Sequence, residues 1–513
     1  MNYLLGMDLG TTNMKGVLYN ELGGMVAAAS RTYETLHFDC SCAEQNPNDW
    51  WQAALAIFQE ITAKVESEVT NQIKGICISS QTPTLLPVKA DGSPIQNAMI
   101  WMDRRADQEL EEILQRLGEE QYIAITGMLP DVSFLPAKIL WFKKYEPEKF
   151  SQMRWILQAN SYVNYKLTGV ISMDMDQASL TQCLDTNTGQ WSEKMGEAVG
   201  VDFNYYLPRP LPNHQIIGAV TKEAAKLTGL DEGIPVVAGS SDAIAAMYAS
   251  GLCRMGEATE VSGTSSLVFA GTKSLPRDYH TVGAHKCALD GIPYVYNAPI
   301  SATGASIQWF LKNFGEYEYG IEKMQGKNVY EVLNEAAAHA KPGSKGVMFF
   351  PYMMGERAPL WNNHAKGMFI GLTMDTKRED IIRSIFEGTA YALKSVLEEF
   401  KRNGTEIDCL RIVGGGALSE TWVKIKASIL NLPILLLDKK TGDVPFGDAL
   451  IAGKAVGLYS DLSSSIKELI QVEKIIQPNP EWVEFYEKTY PYFKKFYGSL
   501  DEDLRAYELV IKR

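Results

Sequence analysis

The sequence predicts an α/β protein built from two related lobes, and three observations predict it. Apolar runs at residues 3–7, 75–79, 234–238 and 410–413 end in Gly, Ser or Asp, as buried strands feeding loops do. Helical patterns lie between them, and strands alternating with helices define the α/β class. A faint internal repeat relates the halves: Met7-Asp8-Leu9-Gly10-Thr11-Thr12-Asn13-Met14-Lys15 and Val261-Ser262-Gly263-Thr264-Ser265-Ser266-Leu267 each set a hydroxyl-rich Gly-Thr turn between apolar segments.

Along the chain, Tyr3 to Met7 lacks the basic n-region of a signal peptide and reads as the first strand, turning at Gly10 into a tight hairpin. Residues 49–67 space Trp50, Ala54, Ile57, Phe58 and Ile61 at helical intervals. Residues 234–239 read as a buried strand feeding Ser240, Ser241 and Asp242, then an Ala-rich helix over 243–249. The lobe boundary is expected within 246–256, dividing the chain into 1–247 and 248–513. In the second half, residues 378–400 carry Ile381, Ile382, Ile385, Phe386, Ala390 and Leu393 at helical spacing. Next, Val413 leads through Gly414, Gly415, Gly416 and Ala417 into a helix-like segment bearing Trp422, Ile425 and Ile429. The tail, 478–513, interleaves Trp482, Phe485, Tyr486, Tyr490, Phe493 and Phe496 with Glu and Lys, as helices packed on the second lobe would; an oligomer contact is the alternative.

Composition narrows the function. With 513 residues, 46% hydrophobic and 22% charged, the chain is neither disordered, collagenous nor a small disulfide scaffold. A formal net charge of −13 opposes nucleic acid and anionic lipid as partners. Seven cysteines (Cys40, Cys42, Cys77, Cys183, Cys253, Cys287, Cys409) form no even framework, and Cys40-Ser41-Cys42 lacks zinc-site spacing, so reduced thiols in a cytoplasmic protein are expected. No window offers the roughly 20 apolar residues of a membrane span.

Gly-Lys followed by Ser or Thr is absent, and no strand leads into G-x-G-x-x-G, so neither a P-loop nor a dinucleotide fingerprint is present. The two hairpins are candidate phosphate binders, because Gly admits close backbone approach while turn N–H groups and hydroxyls donate to phosphate oxygens. The glycine turn at 414–417 opens a helix-like segment and can offer its N–H groups to a nucleotide, or simply pack closely. Asp242 sits at a strand-to-helix junction, where it is either a helix cap or a general base taking the proton of an attacking hydroxyl.

In this order and spacing, residues 7–15, Asp242 with its strand, 261–266 and 414–417 resemble the FGGY family of carbohydrate kinases, over nearly the whole chain. The most specific match is Gly367-Met368-Phe369-Ile370-Gly371-Leu372, then Asp380-Ile381 and Ser384-Ile385-Phe386-Glu387, which fits the family's C-terminal signature. Pro351-Tyr352-Met353-Met354-Gly355-Glu356-Arg357-Ala358-Pro359 is similar to the family's P-Y-x-x-G-E-R-x-P loop. Tyr165-Lys166-Leu167-Thr168-Gly169 with Asp174 also fits. The N-terminal signature is partly met: Lys138, Trp141 and Lys144 fit, whereas Leu135 and Tyr145 depart from it.

The resemblance implies two actin-like, ribonuclease-H-like domains around a central cleft, the first binding sugar and the second binding ATP. Carried over by position, Asp242 resembles the catalytic base and Asp8 the carboxylate that positions Mg²⁺. Thr11, Thr12 and Lys15 resemble the first phosphate loop, Gly263, Thr264 and Ser265 the second, and Gly414, Gly415, Gly416 and Ala417 the adenosine turn. Glu356 and Arg357 could equally form a structural ion pair.

On the acceptor side, Gln81, Thr82, Trp101, Asp103 and Asp242 are the implied sugar contacts, although Asp103 could equally serve a surface ion pair. Pro83 stands where xylulokinase-like enzymes carry His, and Thr82-Pro83 where glycerol kinases carry Arg-Glu, while Ala243 replaces the usual Asn or Gln. The implied acceptor is a ketose of the xylulose type, then gluconate, then another polyol or ketose, with a homodimer as the family default. A reading from another class, an actin-like or chaperone-like ATPase, shares the hairpins but needs neither the polar segment 81–105 nor the Gly367–Glu387 signature.

Overall fold

The structure, a computed structural model, describes every residue except 39–40, 277, 279, 290, 439–442 and 512–513. Tyr3–Leu9 (β1) and Asn13–Asn20 (β2) form the hairpin expected around Gly10, in antiparallel register from Tyr3 opposite Asn20 to Leu9 opposite Met14. Met25–Thr32 (β3) pairs antiparallel with β2, and Ile73–Ser80 (β4) runs parallel to β1. Ile216–Ala219 (β5) and Pro235–Val237 (β6) complete the order β5-β6-β4-β1-β2-β3, and Ser240–Ser241 (β7) adds to the end of β4.

A second sheet is built from Glu257–Ser262 (β8), Ser266–Thr272 (β9), Gly283–Leu289 (β10), Ile292–Ile300 (β11), Cys409–Gly414 (β12), Ile434–Leu437 (β13) and Val472–Ile476 (β14). Its order is β10-β11-β9-β8-β12-β13-β14. From β11 outward the pairings run antiparallel, antiparallel, parallel, parallel, antiparallel. From β3 the first sheet gives the same succession. The repeat visible in two short turns is therefore a repeat of six strands, with β10 added at one edge.

The first sheet is covered by Pro47–Ala63 (α1), whose buried stripe is Trp50, Ala54, Ile57, Phe58 and Ile61. Asn46 caps it through the Asn48 N–H, with proline in the first turn. It ends four residues earlier than the expected 67, because Lys64 closes the last turn onto the Glu60 and Ile61 carbonyls and Val65 turns toward the core. The second lobe is built around Arg378–Arg402, which buries Ile382, Ile385, Phe386, Ala390 and Leu393. The tail is one helix, Pro480–Ile511, with Pro491 inside it. It buries Tyr486, Tyr490, Phe493 and Tyr497 in the second-lobe core, while Phe485 and Phe496, expected on the packed stripe, are 39% and 40% exposed.

Asp242–Ala249 (α2) follows β7, so the 247/248 division falls inside a helix. Val444–Ala455 (α3) comes late in the chain yet lies across β1, β4 and α2. Two glycines allow this approach: a Cβ on Gly6 would lie 1.8 Å from the Pro445 oxygen, and one on Gly447 would lie 2.0 Å from the Ala245 oxygen. Leu4, Val17, Ile244, Phe269, Phe446 and Leu450 share one apolar cluster at this junction, so the lobes meet through packed side chains from both sheets.

Among the described residues, no helix is long and apolar enough to cross a membrane. Among the described residues no cysteine is in a disulfide, and Cys40 lies outside them.

Candidate active site

The ends of β1, β4 and β7 bring Asp8, Gln81 and Asp242 to one side of the first lobe. β1 and β4 run parallel with Asp8 opposite Ser79, and β7 extends beside β4 with Ser241 opposite Ser80. Asp242 is the first residue of α2, but the cap is Ser241, whose Oγ accepts the Ile244 N–H at 3.3 Å. Among the described residues Asp242 accepts only the adjacent Ala243 N–H, at 2.6 Å. Burial pushes its carboxyl up to about 6, with that N–H acting in the opposite direction.

The β7 strand that presents Asp242 is held from behind. Asn160 and Gln177 side chains donate to the Ser240 carbonyl at 3.4 and 3.2 Å, and Asn160 also donates to Asp174 at 2.9 Å. Asp174 caps the helix Met175–Ser179 through the Gln177 N–H. The Asp of the Tyr165–Asp174 motif thus braces the strand leading to the proposed base.

Asp8 lies beside Lys15 across the hairpin, yet Lys15 pairs with Asp443 at the start of α3. One Asp8 oxygen, Oδ1, is buried without a hydrogen-bond partner among the described residues. Burial, then the Asp242 and Asp443 carboxylates, hold the Asp8 carboxyl well above its usual range, with Lys15 opposing. An orphaned carboxylate oxygen among like charges suits a hard divalent cation. Among the described residues no three acidic, His or Cys side chains cluster closely enough to hold a metal alone. An ion at Asp8 would therefore complete its shell with phosphate oxygens and water, as Mg²⁺ characteristically does.

The first hairpin turn is fixed by the Tyr33 hydroxyl, which donates to the Gly10 carbonyl, and by the Gly10 N–H, which donates to Asn13 O at 3.0 Å. Thr12 remains exposed at its tip, and Thr11 is half-buried. In the second lobe, the start of the helix Gly304–Phe314 supports the other turn: Gly304 and Ala305 N–H groups donate to Gly263 and Thr264 carbonyls at 3.1 and 2.8 Å. Gly263 and Thr264 are exposed, and Ser265 is half-buried.

Parallel pairing of β8 with β12 sets Ser262 opposite Gly414, so the second hairpin and the glycine turn form one unit. Gly414 has φ +87°, and a Cβ on Gly416 would lie 2.1 Å from Ser262 Oγ, so the turn wraps around that serine. Gly414 and Gly415 are exposed, Ala417 is half-buried and Leu418 is 74% exposed, leaving an open apolar and backbone surface. Beneath the hairpin, Lys426 and Glu260 make a fully buried ion pair at 2.7 Å.

At the acceptor end, the Gln81 N–H donates to Leu9 O at 2.9 Å and its side-chain Nε2 to Gln45 Oε1 at 2.6 Å. Among the described residues, buried Gln81 Oε1 and Thr82 Oγ1 have no hydrogen-bond partner. Trp101 is 43% exposed. Asp103, expected among the sugar contacts, is a correction: it is fully buried, and its oxygens accept from the Ala43 N–H at 2.8 Å and from Arg105, whose Nη2 lies at 2.6 Å. Arg105 also pairs with Glu44 at 2.7 Å and lies over Trp141. Lys138 donates to the Ile100 carbonyl at 2.6 Å. These signature residues fix the segment carrying Trp101. Glu356 accepts the Ser301 and Arg357 backbone N–H groups, both at 2.8 Å, which ties its loop to the end of β11.

Four residues join this site that the sequence did not single out: Gln45, Tyr33, Ser262 and Asp443. Ser262 was within a recognised turn, and its burial follows from the strand register. The others carry no local signal, since each reaches the hairpins from a segment distant in sequence.

Models of the FGGY family of carbohydrate kinases match the chain twice, the N-terminal domain over residues 3–249 and the C-terminal domain over 258–456. A xylulose kinase from Staphylococcus epidermidis is 28% identical over 501 residues, 96% of each chain. A gluconokinase from Bacillus subtilis is 28% identical over 462 residues, 90% of this chain and 88% of the relative. The crystal structure of a ligand-bound xylulose kinase from Lactobacillus acidophilus has a TM-score of 0.89 at 25% identity, covering 99% of this chain and 100% of that one. With its paired α/β lobes and these full-length matches, the chain belongs to the FGGY family of carbohydrate kinases, ATP-dependent phosphotransferases acting on a sugar hydroxyl.

Proposed function

We propose that this kinase transfers the γ-phosphoryl group of ATP to a hydroxyl of a xylulose-type ketose, with Asp242 as general base. The observation that carries the reading is the division of labour at the start of α2: Ser241 caps the helix, which leaves the Asp242 carboxylate available for a proton. Above about pH 6 Asp242 is ionised and takes the hydroxyl proton as the sugar oxygen attacks phosphorus. Thr11 and Thr12 on one turn, Lys15 on the strand that follows it, and Gly263, Thr264 and Ser265 on the other turn hold the phosphates. Gly414, Gly415, Gly416 and Ala417 receive the adenosine. Asp8 would hold Mg²⁺, which when bound neutralises the β- and γ-phosphate charge.

Gln81, Thr82 and Trp101 face the sugar. Gln81 Oε1 and Thr82 Oγ1 are neutral unpartnered groups, which match the hydroxyls of a neutral ketose. Full-length relatives named xylulose kinase support the same choice. Gluconate is the second reading, because the half-buried Arg357 guanidinium, whose charged neighbours are Glu356 and Asp131, is a cation a sugar acid could use.

The test is ADP release from Mg²⁺ and ATP with xylulose, ribulose, gluconate, erythritol, glycerol and fructose in turn, and with no sugar. Turnover greatest with xylulose supports the proposal. A preference for gluconate would replace the acceptor, and sugar-independent hydrolysis would overturn the kinase mechanism.

A further inference from the structure

Two hydrogen-bonded paths lead from sugar-facing residues to the first hairpin, and both end on Thr11. The Trp101 indole N–H donates to Thr11 Oγ1 at 2.9 Å. Gln81 donates to Gln45 Oε1, and Gln45 Nε2 donates in turn to the Thr11 carbonyl, both at 2.6 Å. The Gln45 amide is fully engaged, because its oxygen also accepts from the Trp50 indole at 3.0 Å and its nitrogen also donates to Thr35 Oγ1 at 2.8 Å. With all these positions taken, its orientation is fixed, and so are the Thr11 backbone and the Gln81 amide that contact it.

A threonine hydroxyl has one proton to give. Because Thr11 Oγ1 accepts the indole N–H, its own proton is directed to a different acceptor. The carbonyl immediately before Trp101, that of Ile100, is held by buried Lys138 at 2.6 Å, so the backbone from which the indole extends is anchored while Trp101 remains 43% exposed.

We infer that Trp101 is a positioning residue for phosphate binding: its N–H orients the Thr11 hydroxyl toward the nucleotide phosphates while its exposed ring remains available to the sugar. The two substrates are thereby coupled through Thr11. This rests on the assignment of the first hairpin to phosphate binding made above.

The test titrates the Mg²⁺ complex of β,γ-imido-ATP, and separately AMP, into the full-length wild type, Trp101→Phe, Thr11→Val and the double variant by calorimetry. Phenylalanine keeps an aromatic ring but loses the indole N–H together with part of the ring area, and the double variant separates the two effects. Trp101→Phe is expected to weaken imido-ATP about fivefold, the loss of one neutral hydrogen bond, and to leave AMP affinity unchanged. In the Thr11→Val background the same substitution is expected to have no further effect. Unchanged imido-ATP affinity, an equal loss for AMP, or the same fivefold loss without the Thr11 hydroxyl would each overturn the inference. A wild type that binds AMP but gains nothing from the added phosphates would instead overturn the phosphate assignment beneath it.

Discussion

Ser241 Oγ accepts the Ile244 N–H at 3.3 Å, so Asp242, one residue further on, is the first residue of the helix but not its cap. A carboxylate that merely capped α2 could be replaced by asparagine at little cost, since the two residues cap almost equally well. As general base, it cannot. Asp242→Asn is expected to lower kcat by about 10³-fold while leaving nucleotide affinity within about twofold, measured by coupled ADP release and by calorimetry. Retention of a tenth or more of the activity would remove Asp242 as the base.

The same carboxyl sets a pH dependence of known sign. Burial raises its pKa to about 6, so kcat/KM is expected to climb as pH rises through that value and then to level. Stability moves the other way. A carboxyl whose pKa rises on folding favours the folded state while protonated, so that contribution is present at pH 4 and is lost as pH rises to 6. Asp242→Asn carries no such charge, so its melting temperature is expected to exceed that of the wild type by roughly 2–4 °C at pH 8, with the gap narrowing toward pH 4.

Asp8 makes a related prediction with a crossover. Its buried, unpartnered oxygen and the neighbouring Asp242 and Asp443 carboxylates make the charged form costly when no cation is present. In EDTA, Asp8→Asn is therefore expected to melt higher than the wild type. With Mg²⁺ and imido-ATP the order is expected to reverse, because only the wild type gains the full effect of the cation. Parallel melting shifts on adding Mg²⁺ would argue against a metal role for Asp8.

How much of this was legible in the sequence depends on the range of the contacts. The hairpin at Gly10, the strand into Asp242 and the glycine turn at 414 are local, each written in a few consecutive residues. The six-strand repeat was visible only at its two turns, because the strands share a pairing pattern rather than residues. For Asp103 the sequence left a sugar contact and an ion pair equally open, and only the folded loop shows Oδ1 accepting from Arg105 and Oδ2 accepting from Arg105 and from Ala43, sixty residues away. Likewise nothing around Asp443 marks it, since its proximity to Lys15 and Asp8 comes from α3 crossing onto the first sheet.

The glycine turn offers a compensating pair. A Cβ on Gly416 would lie 2.1 Å from Ser262 Oγ and 2.8 Å from Ser262 Cβ, both in the side chain of one residue. Gly416→Ala is expected to reduce ADP affinity at least tenfold by displacing the turn. Adding Ser262→Gly removes both clashing atoms and is expected to recover most of that loss. No recovery would mean that the turn depends on the glycine backbone rather than on the space it leaves.

Beneath that turn, Lys426 and Glu260 form a fully buried pair in which Lys426 also lies 4.0 Å from the Trp422 ring centre and Glu260 also accepts from Ser266 Oγ at 2.7 Å. Removing one partner strands a charge in an apolar interior, a cost of about 3–5 kcal/mol, whereas removing both charges can be nearly neutral. Lys426→Met is therefore expected to lower the urea midpoint sharply. Lys426→Met with Glu260→Gln is expected to restore most of it, since glutamine keeps an acceptor for Ser266. Equal destabilisation in the single and double variants would show that the pair matters for the shape it fills, and the charge argument would fall.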